Sequence, residues 1–186
     1  MLRIYLVRHA EPQVNPSRSF DTWPLTAAGQ VAARRLAETL PQLGRVIASP
    51  ELKALETAQQ FADAWATEVV TDDRLREVAG RAWAESEQVY RQQVRSYFGG
   101  DEPEGWEPAR EARVRIVAAV EEVMRGTEDA ALVSHGLVFT LLRSWFDRVE
   151  PAMLIPVWET MLFPDVCILD SDAGRVLREF GSDEST

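Results

Sequence analysis

The stretch LVRHA, residues 6–10, decides the fold class, because an apolar, β-prone run ends there in a charged pair. Residues 2–7 predict a buried β-strand. The stretch LVSHG, residues 132–136, repeats this arrangement far along the chain. His9 and His135 are the only histidines among the 186 residues, and each follows such an apolar run. The two stretches therefore predict two strands that each end on an imidazole.

Strands and helices are predicted to alternate along the chain. Besides 2–7, β-rich runs predict strands at 45–49, 68–72 and 129–134, and two more around an Asp-Ala-Gly turn within 161–180. Helical spacing predicts helices at 24–43, 50–66, 90–98, 109–124 and 137–146. In the first helix Thr26 is the predicted N-cap, and Val31, Leu36 and Leu40 recur at helical spacing as its apolar face. This order is typical of an α/β domain with a largely parallel sheet.

The chain is predicted to form one domain over residues 1–186. This length is enough for a sizeable core, and 46% apolar with 27% charged residues is ordinary globular composition. The less regular segment 73–107 is predicted to form a small cap of helix and loop, and the tail 181–186 to be disordered.

Charge and cysteine content restrict the partners and the compartment. A net charge of −10 argues against a nucleic-acid binder and against an anionic membrane surface, while a small anionic substrate stays open. The single cysteine, Cys167, forms no intramolecular disulfide, which fits a reducing compartment, and its apolar neighbours predict that it is buried. The first residues are too short an apolar run for a signal peptide, and no stretch approaches the ~20 apolar residues of a membrane helix. We therefore expect a cytoplasmic protein.

Several polar residues follow predicted strands and are expected to converge. In open α/β sheets ligands bind beyond the carboxyl ends of the strands. His9 and His135 fall there, as do Ser49 and Lys53 after the second strand and Glu77 after the third. Four strand ends are thus predicted to meet at one crevice.

These residue types indicate phosphoryl chemistry. A neutral imidazole at His9 can act as a nucleophile, and the planar guanidinium of Arg8 is suited to a phosphate group. Gly136 begins a predicted helix whose free N–H groups would favour an anion, beside Lys53. Glu77 is the candidate proton carrier for the leaving oxygen. No carboxylate is grouped with either histidine, so neither a metal nor another cofactor is expected.

The sequence resembles the histidine phosphatase superfamily, also called the phosphoglycerate-mutase-like family. LVRHAEP matches its first signature, and PLTAAGQVAARRLA, ASPELKALETA, LRE and LVSHG match the others in order, from residue 2 to about 145. The resemblance implies a three-layer α/β/α sandwich with a mixed, mainly parallel sheet, and phosphohistidine chemistry without a metal. It implies His9 as nucleophile, Arg8 and Asn15 as phosphate ligands, His135 as stabiliser of the transferring group, and Glu77 as acid/base residue.

The sequence departs from the family pattern at several positions. Ala10 replaces the usual glycine, which requires a negative φ or mild strain and would put a methyl group near the phosphate. Lys53 replaces the arginine of the pattern SPxxRAxxT, which keeps the charge and loses the bidentate fork. After Glu77 the family's Gly-x-Trp-Glu-Gly run reads as a compressed variant, so Glu85 and Glu104 are alternative acids. Trp106, in a polar loop, is expected either to line the substrate mouth or to pack.

Three functions are compatible with the sequence. The first is a phosphomonoesterase that acts through a phosphohistidine at His9 on a small phosphorylated metabolite; the short segment 73–107 favours it over a mutase, which needs a larger cap. The second is a weakly catalytic relative that binds a phosphorylated ligand or a protein partner, motivated by Ala10 and Lys53. The third is a cofactor-dependent phosphoglycerate-type mutase. The apolar stretch 145–163 is also compatible with a homo-oligomer.

Overall fold

The computed structural model describes residues 2–81 and 84–182. Within them, six strands form one mixed sheet in the order β3-β2-β4-β1-β5-β6. The pairs β3–β2, β2–β4 and β4–β1 are parallel, and β5 runs antiparallel to both β1 and β6. The strands are β1 (Arg3–Arg8), β2 (Val46–Ala48), β3 (Val69–Thr71), β4 (Ala130–Ser134), β5 (Asp165–Asp170) and β6 (Arg175–Arg178). The mixed, mainly parallel sheet is confirmed.

Helices cover both faces of this sheet. They are α1 (Ala27–Thr39), α2 (Leu52–Trp65), α3 (Glu87–Phe98), α4 (Ala109–Met124), α5 (Gly136–Asp147) and α6 (Ile155–Thr160). Successive residues of β1 point to opposite faces: Ile4 and Leu6 enter the core under α4 and α5, whereas Tyr5 and Val7 enter the core under α1 and α2. These two cores on either side of one sheet make the three-layer α/β/α sandwich that was predicted.

The register of the central strands places the two histidines together. β1 pairs in parallel with β4, with Arg8 opposite Ser134. His9 and His135 are the next residues, and the His9 amide still donates to the Ser134 carbonyl at 2.9 Å. Both imidazoles therefore leave the sheet from the same edge.

The first helix begins as predicted, and one of its three predicted apolar residues faces solvent. Thr26 is its N-cap, with the hydroxyl accepting from Gly29 N at 2.9 Å. Leu36 and Leu40 are partly buried and pack against the core, as predicted. The prediction was wrong for Val31, which is 52% exposed, because the fully buried positions of α1 are the small residues Gly29, Ala33 and Ala37. A Cβ at Gly29 would lie 2.5 Å from the Glu11 carbonyl oxygen.

The segment 73–107 contains a short 3-10 helix, Asp73–Leu75, and α3, while two of its residues lie outside the described ranges. Trp106 is 8% exposed and packs on Tyr97, with ring centroids 5.3 Å apart, so its role is packing. Cys167 is fully buried and the Asp-Ala-Gly stretch forms the β5–β6 turn, both as predicted. The predicted disorder of the tail concerns 181–186, of which 183–186 lie outside the described residues. Within the described part of the chain, no helix has the length and apolar character needed to cross a membrane.

Candidate active site

A cavity of about 460 Å³ lies where β1 and β4 end. Six of the seven predicted site residues line it: Arg8, His9, Lys53, Glu77, His135 and Gly136. Asn15 is not among the lining residues; it is exposed, and its side-chain oxygen accepts a hydrogen bond from Ser17 N at 3.0 Å. The convergence of four separate strand ends, expected from the topology, is therefore observed for these six.

His9 is held in one orientation by its own loop. Its Nδ1 lies 2.8 Å from the Ala10 carbonyl oxygen. A carbonyl oxygen only accepts, so Nδ1 carries the proton and Nε2 of the neutral ring keeps its lone pair. Burial, together with the charges of His135, Lys53 and Arg8, lowers the pKa of His9 well below its usual value. The ring is therefore neutral near pH 7, as a nucleophile must be.

His135 faces His9 across the cavity, with ring centroids 5.2 Å apart and the planes inclined by 62°. Its Nε2 lies 2.8 Å from the Ser49 hydroxyl. Its Nδ1 is buried and has no hydrogen-bond partner among the described residues. Burial, followed by the charges of Lys53 and Arg81, lowers the pKa of His135 well below the ordinary value.

Arg8 presents a guanidinium with one unsatisfied nitrogen. One terminal N–H donates to the Met161 carbonyl at 2.7 Å, and the guanidinium carbon lies 3.6 Å from the centroid of the Phe163 ring. Arg8 Nε is buried with no partner in the described chain. Burial lowers the pKa of Arg8 to about 10, so it stays charged at neutral pH. A Cβ at Gly136 would lie 3.4 Å from this Nε, so glycine at that position keeps the nitrogen approachable.

The N-terminus of α5 is already occupied by the carboxyl group of Glu77. One Glu77 oxygen accepts from Leu137 N at 3.1 Å and the other from Val138 N at 3.0 Å and Val78 N at 3.0 Å. The expectation that this helix start offers its free N–H groups to phosphate is therefore wrong for these two amides. Three backbone donors fix the Glu77 carboxylate at the cavity wall. Glu85 and Glu104 are exposed and do not line the cavity.

Lys53 reaches the cavity but its charge is compensated. Its ammonium lies 2.5 Å from a Glu51 oxygen and donates to the Phe20 carbonyl at 2.8 Å. The other Glu51 oxygen accepts from Glu77 N at 2.8 Å and lies 3.6 Å from His135 Nε2. Burial lowers the pKa of Lys53, against the opposing effect of Glu51. Glu51 was missed by the sequence reasoning, although its position two residues before Lys53 was a visible signal.

Ala10 fits its position without strain. Ala10 has no positive φ, its amide donates to the Thr57 hydroxyl at 2.9 Å, and its methyl is buried with Leu25 and Ala33. The expected methyl group near the phosphate is therefore not found: Ala10 is not among the cavity lining.

Two further features of the cavity were not predicted. Arg81 lines it. This residue belongs to the run after Glu77, where the sequence departs from the family pattern, and that departure was the available signal. A wall of large apolar side chains also lines it. No local pattern could indicate this wall, because its members come from two segments distant in sequence, 14–23 and 158–163: Val14, Phe20, Trp23, Trp158, Met161 and Phe163. Across the described ranges, no group of three His, Cys, Asp or Glu side chains could hold a metal ion.

Comparison with known proteins identifies the family. A sequence profile of the histidine phosphatase superfamily (branch 1) matches residues 4–160. The chain belongs to this superfamily. It is 35% identical over 160 residues to a probable phosphoglycerate mutase GpmB of Enterobacter sp. strain 638, which covers 77% of this chain and 74% of the relative.

Solved structures share the fold over almost the whole chain. YhfR of Bacillus stearothermophilus superposes with a TM-score of 0.80 and 25% identity, covering 99% of this chain and 98% of that one. A mycobacterial glucosyl-3-phosphoglycerate phosphatase superposes with a TM-score of 0.76 and 20% identity, covering 97% of this chain and 99% of that one. The relatives found by sequence are thus named probable phosphoglycerate mutases, and one protein that shares the fold is named a phosphatase.

Proposed function

We propose that the protein is a phosphomonoesterase that acts on a small phosphorylated metabolite through a phosphohistidine at His9. One observation supports this most strongly. Arg8 Nε and His135 Nδ1 are buried without hydrogen-bond partners in the described chain, and both residues line the cavity beside His9. Unpaired buried donors are costly, and an anion that accepts from both would satisfy them. A phosphoryl group offers the necessary oxygens.

The proposed reaction has two steps. In the first, which needs Glu77 in its protonated form, His9 Nε2 attacks phosphorus, the P–N bond forms, the P–O ester bond breaks, and the leaving oxygen takes the proton from Glu77. In the second, Glu77 accepts a proton from a water that attacks phosphorus, the P–N bond breaks and phosphate leaves. Arg8 and His135 would stabilise the charge on the transferring group in both steps. No metal or other cofactor takes part in this scheme.

The proposal also covers the cap of the site, the domain organisation, the compartment and the partners. Segment 73–107 serves as the cap, since Glu77 and Arg81 in it line the cavity. The whole chain acts as one domain, in the cytoplasm, without nucleic-acid or membrane partners. Asn15 remains a proposed phosphate ligand that would have to approach when substrate binds.

The activity is tested with p-nitrophenyl phosphate and a panel of phosphate monoesters, measured with and without a chelator. We expect turnover that is insensitive to the chelator, and competitive inhibition by vanadate. Absence of turnover on every ester by a folded protein would reject the proposal.

A mutase is the second candidate, because the relatives with 32–35% identity are named probable phosphoglycerate mutases. A mutase of this type requires a phosphorylated resting enzyme. Intact mass after incubation with a bisphosphorylated sugar acid distinguishes the two: a stable phosphoenzyme supports the mutase, and rapid release of inorganic phosphate supports the phosphatase.

A weakly catalytic relative is the third candidate, and the Lys53–Glu51 ion pair favours it. Lys53→Arg tests it by restoring the family's residue. A large gain in kcat/KM would show that the pocket has moved away from efficient catalysis, whereas a loss would show that lysine is suited to the natural substrate.

Removal of the Lys53 charge should move the acid limb of the pH profile upward. Lys53 is one of the charges that lower the pKa of His9, so the variant Lys53→Met raises that pKa. The protonated ring is not a nucleophile, so activity is lost as pH falls through the pKa of His9. We expect the acid limb of kcat/KM at higher pH than in the wild type. An unchanged acid limb would show that another group controls it.

Ser49 is expected to orient His135. A hydroxyl that donates to His135 Nε2 leaves the proton on Nδ1, where it can meet the phosphoryl oxygens. Ser49→Ala should lower kcat/KM by about tenfold, the value of one charge-assisted hydrogen bond. Steady-state kinetics measure this, with Ser49→Thr, which keeps the hydroxyl, as the control. Equal activity of the alanine variant and the wild type would contradict the assignment.

A further inference from the structure

We propose that Arg81 binds the transferred phosphoryl group, in place of the arginine that the family pattern has at position 53. This inference rests on the proposed phosphatase function and adds a binding residue to it. Its basis is the set of contacts made by three residues from separate parts of the chain: Phe20, Lys53 and Arg81.

Lys53 cannot replace an arginine in full. Two of its three ammonium donors are engaged, one with Glu51 at 2.5 Å and one with the Phe20 carbonyl at 2.8 Å. Its side chain is only 6% exposed and its charge is balanced by a carboxylate at contact distance. One donor and little net charge remain for a ligand, whereas a guanidinium offers five donors in a fixed fork.

Arg81 and Lys53 both contact Phe20. Lys53 contacts the Phe20 carbonyl, and the Arg81 guanidinium carbon is 4.9 Å from the centroid of the Phe20 ring. Both cations line the same cavity as His9 and His135. The charge of Arg81 contributes to the lowered pKa values of both Lys53 and His135, which places it within electrostatic reach of these residues.

Arg81 is held in place but keeps donors for a ligand. Its Nε donates to the Val78 carbonyl at 2.7 Å, and one terminal nitrogen lies 3.4 Å from the Tyr90 hydroxyl. Among the described residues, no carboxylate lies within ion-pair distance of Arg81. Burial alone would lower its pKa, but Tyr90, Glu77 and Glu51 outweigh burial and raise it. A charged guanidinium that is held at Nε, and whose terminal nitrogens form no ion pair with a described carboxylate, is a suitable phosphate ligand.

Arg81→Gln and Arg81→Lys test this assignment, with inorganic phosphate as the probe. The affinity is measured by calorimetry and by product inhibition of p-nitrophenyl phosphate hydrolysis. We expect Arg81→Gln to weaken phosphate binding by about tenfold or more, and Arg81→Lys to weaken it less, because a charge remains without the fork. Arg76→Gln is the matched control: it removes an exposed arginine of the same segment, paired with Asp73, and should bind phosphate like the wild type.

The outcomes separate the two proposals. If the wild type and Arg76→Gln bind phosphate and Arg81→Gln binds it equally well, Arg81 is not a phosphate ligand, while the phosphatase function stands. If Arg81→Gln loses affinity only for esters that carry a second anionic group, Arg81 contacts the leaving group and this inference is overturned. If the wild type neither binds phosphate nor hydrolyses any ester, both proposals fail. Arg81→Lys covers the case in which the glutamine variant does not fold.

A separate observation, the apolar wall of the cavity, indicates the substrate class. The wall comprises Val14, Phe20, Trp23, Trp158, Met161 and Phe163. Two further charged side chains of the lining are engaged in ion pairs: Arg91 with Glu87 at 2.9 Å, and Glu159 with Arg95, which lies outside the lining, at 2.5 Å. We infer that the leaving group is an apolar or aromatic alcohol without a second anionic group. Among the described lining residues, Arg8 and Arg81 are assigned to the phosphoryl group, and Lys53 and Arg91 are each paired with a glutamate.

A matched pair of esters tests the substrate class. We expect kcat/KM to be at least about tenfold higher for 2-phenylethyl phosphate than for 3-phosphoglycerate. Both are alkyl esters, and burying the ring on the apolar wall contributes about 25 cal/mol per Å². The reverse order, with turnover of both, would overturn this inference and leave the phosphatase function standing. No turnover of either by a folded protein would reject the function itself.

Discussion

The variant His9→Ala is expected to lose turnover by about 10⁴-fold or more, because it removes the proposed nucleophile. His9 is 6% exposed, and its Nδ1–Ala10 hydrogen bond leaves Nε2 as the reactive nitrogen. His135 cannot take over, because its Nε2 is engaged with Ser49 and its ring faces His9 from the other side of the cavity.

Rapid quench with a radiolabelled ester, followed by denaturation in base, measures this result. The wild type should carry a base-stable phosphohistidine during turnover, and His9→Ala should carry none. The affinity of the variant for inorganic phosphate should persist, because Arg8 and His135 remain. Undiminished turnover by His9→Ala, or label on another residue, would reject the covalent mechanism.

The variant Glu77→Gln should lose both activity and stability. The carboxylate accepts hydrogen bonds from three backbone amides, those of Val78, Leu137 and Val138. An amide side chain has one accepting oxygen, so its NH₂ group must face at least one of these donors. We expect the free energy of unfolding to fall by about 1–3 kcal/mol from the unsatisfied donor and the lost helix-terminus charge.

The activity loss of Glu77→Gln should depend on the leaving group. Removal of a general acid costs about 10²–10⁴-fold. We expect kcat/KM to fall by that factor for alkyl phosphates and by much less for p-nitrophenyl phosphate, because p-nitrophenolate leaves without a proton. Glu85→Gln and Glu104→Gln are the controls, since both residues are exposed and lie outside the cavity lining. An equal loss for all leaving groups would indicate that Glu77 only supports α5.

The strands that position the two histidines were predicted well from the sequence, because strand formation depends on local patterns. The apolar runs before His9 and His135 predicted two buried strands, and strand register then places both rings at one edge. Ala10 shows the limit of the pattern. The sequence could indicate a missing glycine, but only the structure shows that the methyl group packs against Leu25 and Ala33.

The ion-pair and hydrogen-bond partners of the charged groups in the site were harder to predict than the identity of the site residues. Lys53 was expected as a free cation, and the start of α5 as an open anion site. In the structure Glu51 balances Lys53, and Glu77 binds the first amides of α5. Both errors have one cause: a residue type shows which charge a side chain carries, whereas the partner that compensates it is set by packing between segments distant in sequence.

The sequence by itself determined the α/β class, the family and the pair of histidines, because strand periodicity and short motifs are properties of neighbouring residues. Only the tertiary structure decided which cations of the cavity are paired with carboxylates, which small residues α1 buries, and that an apolar wall lines the same cavity as His9 and His135. These depend on distances between side chains from different loops, such as the 4.9 Å from the Arg81 guanidinium to the Phe20 ring. No local pattern encodes such a distance.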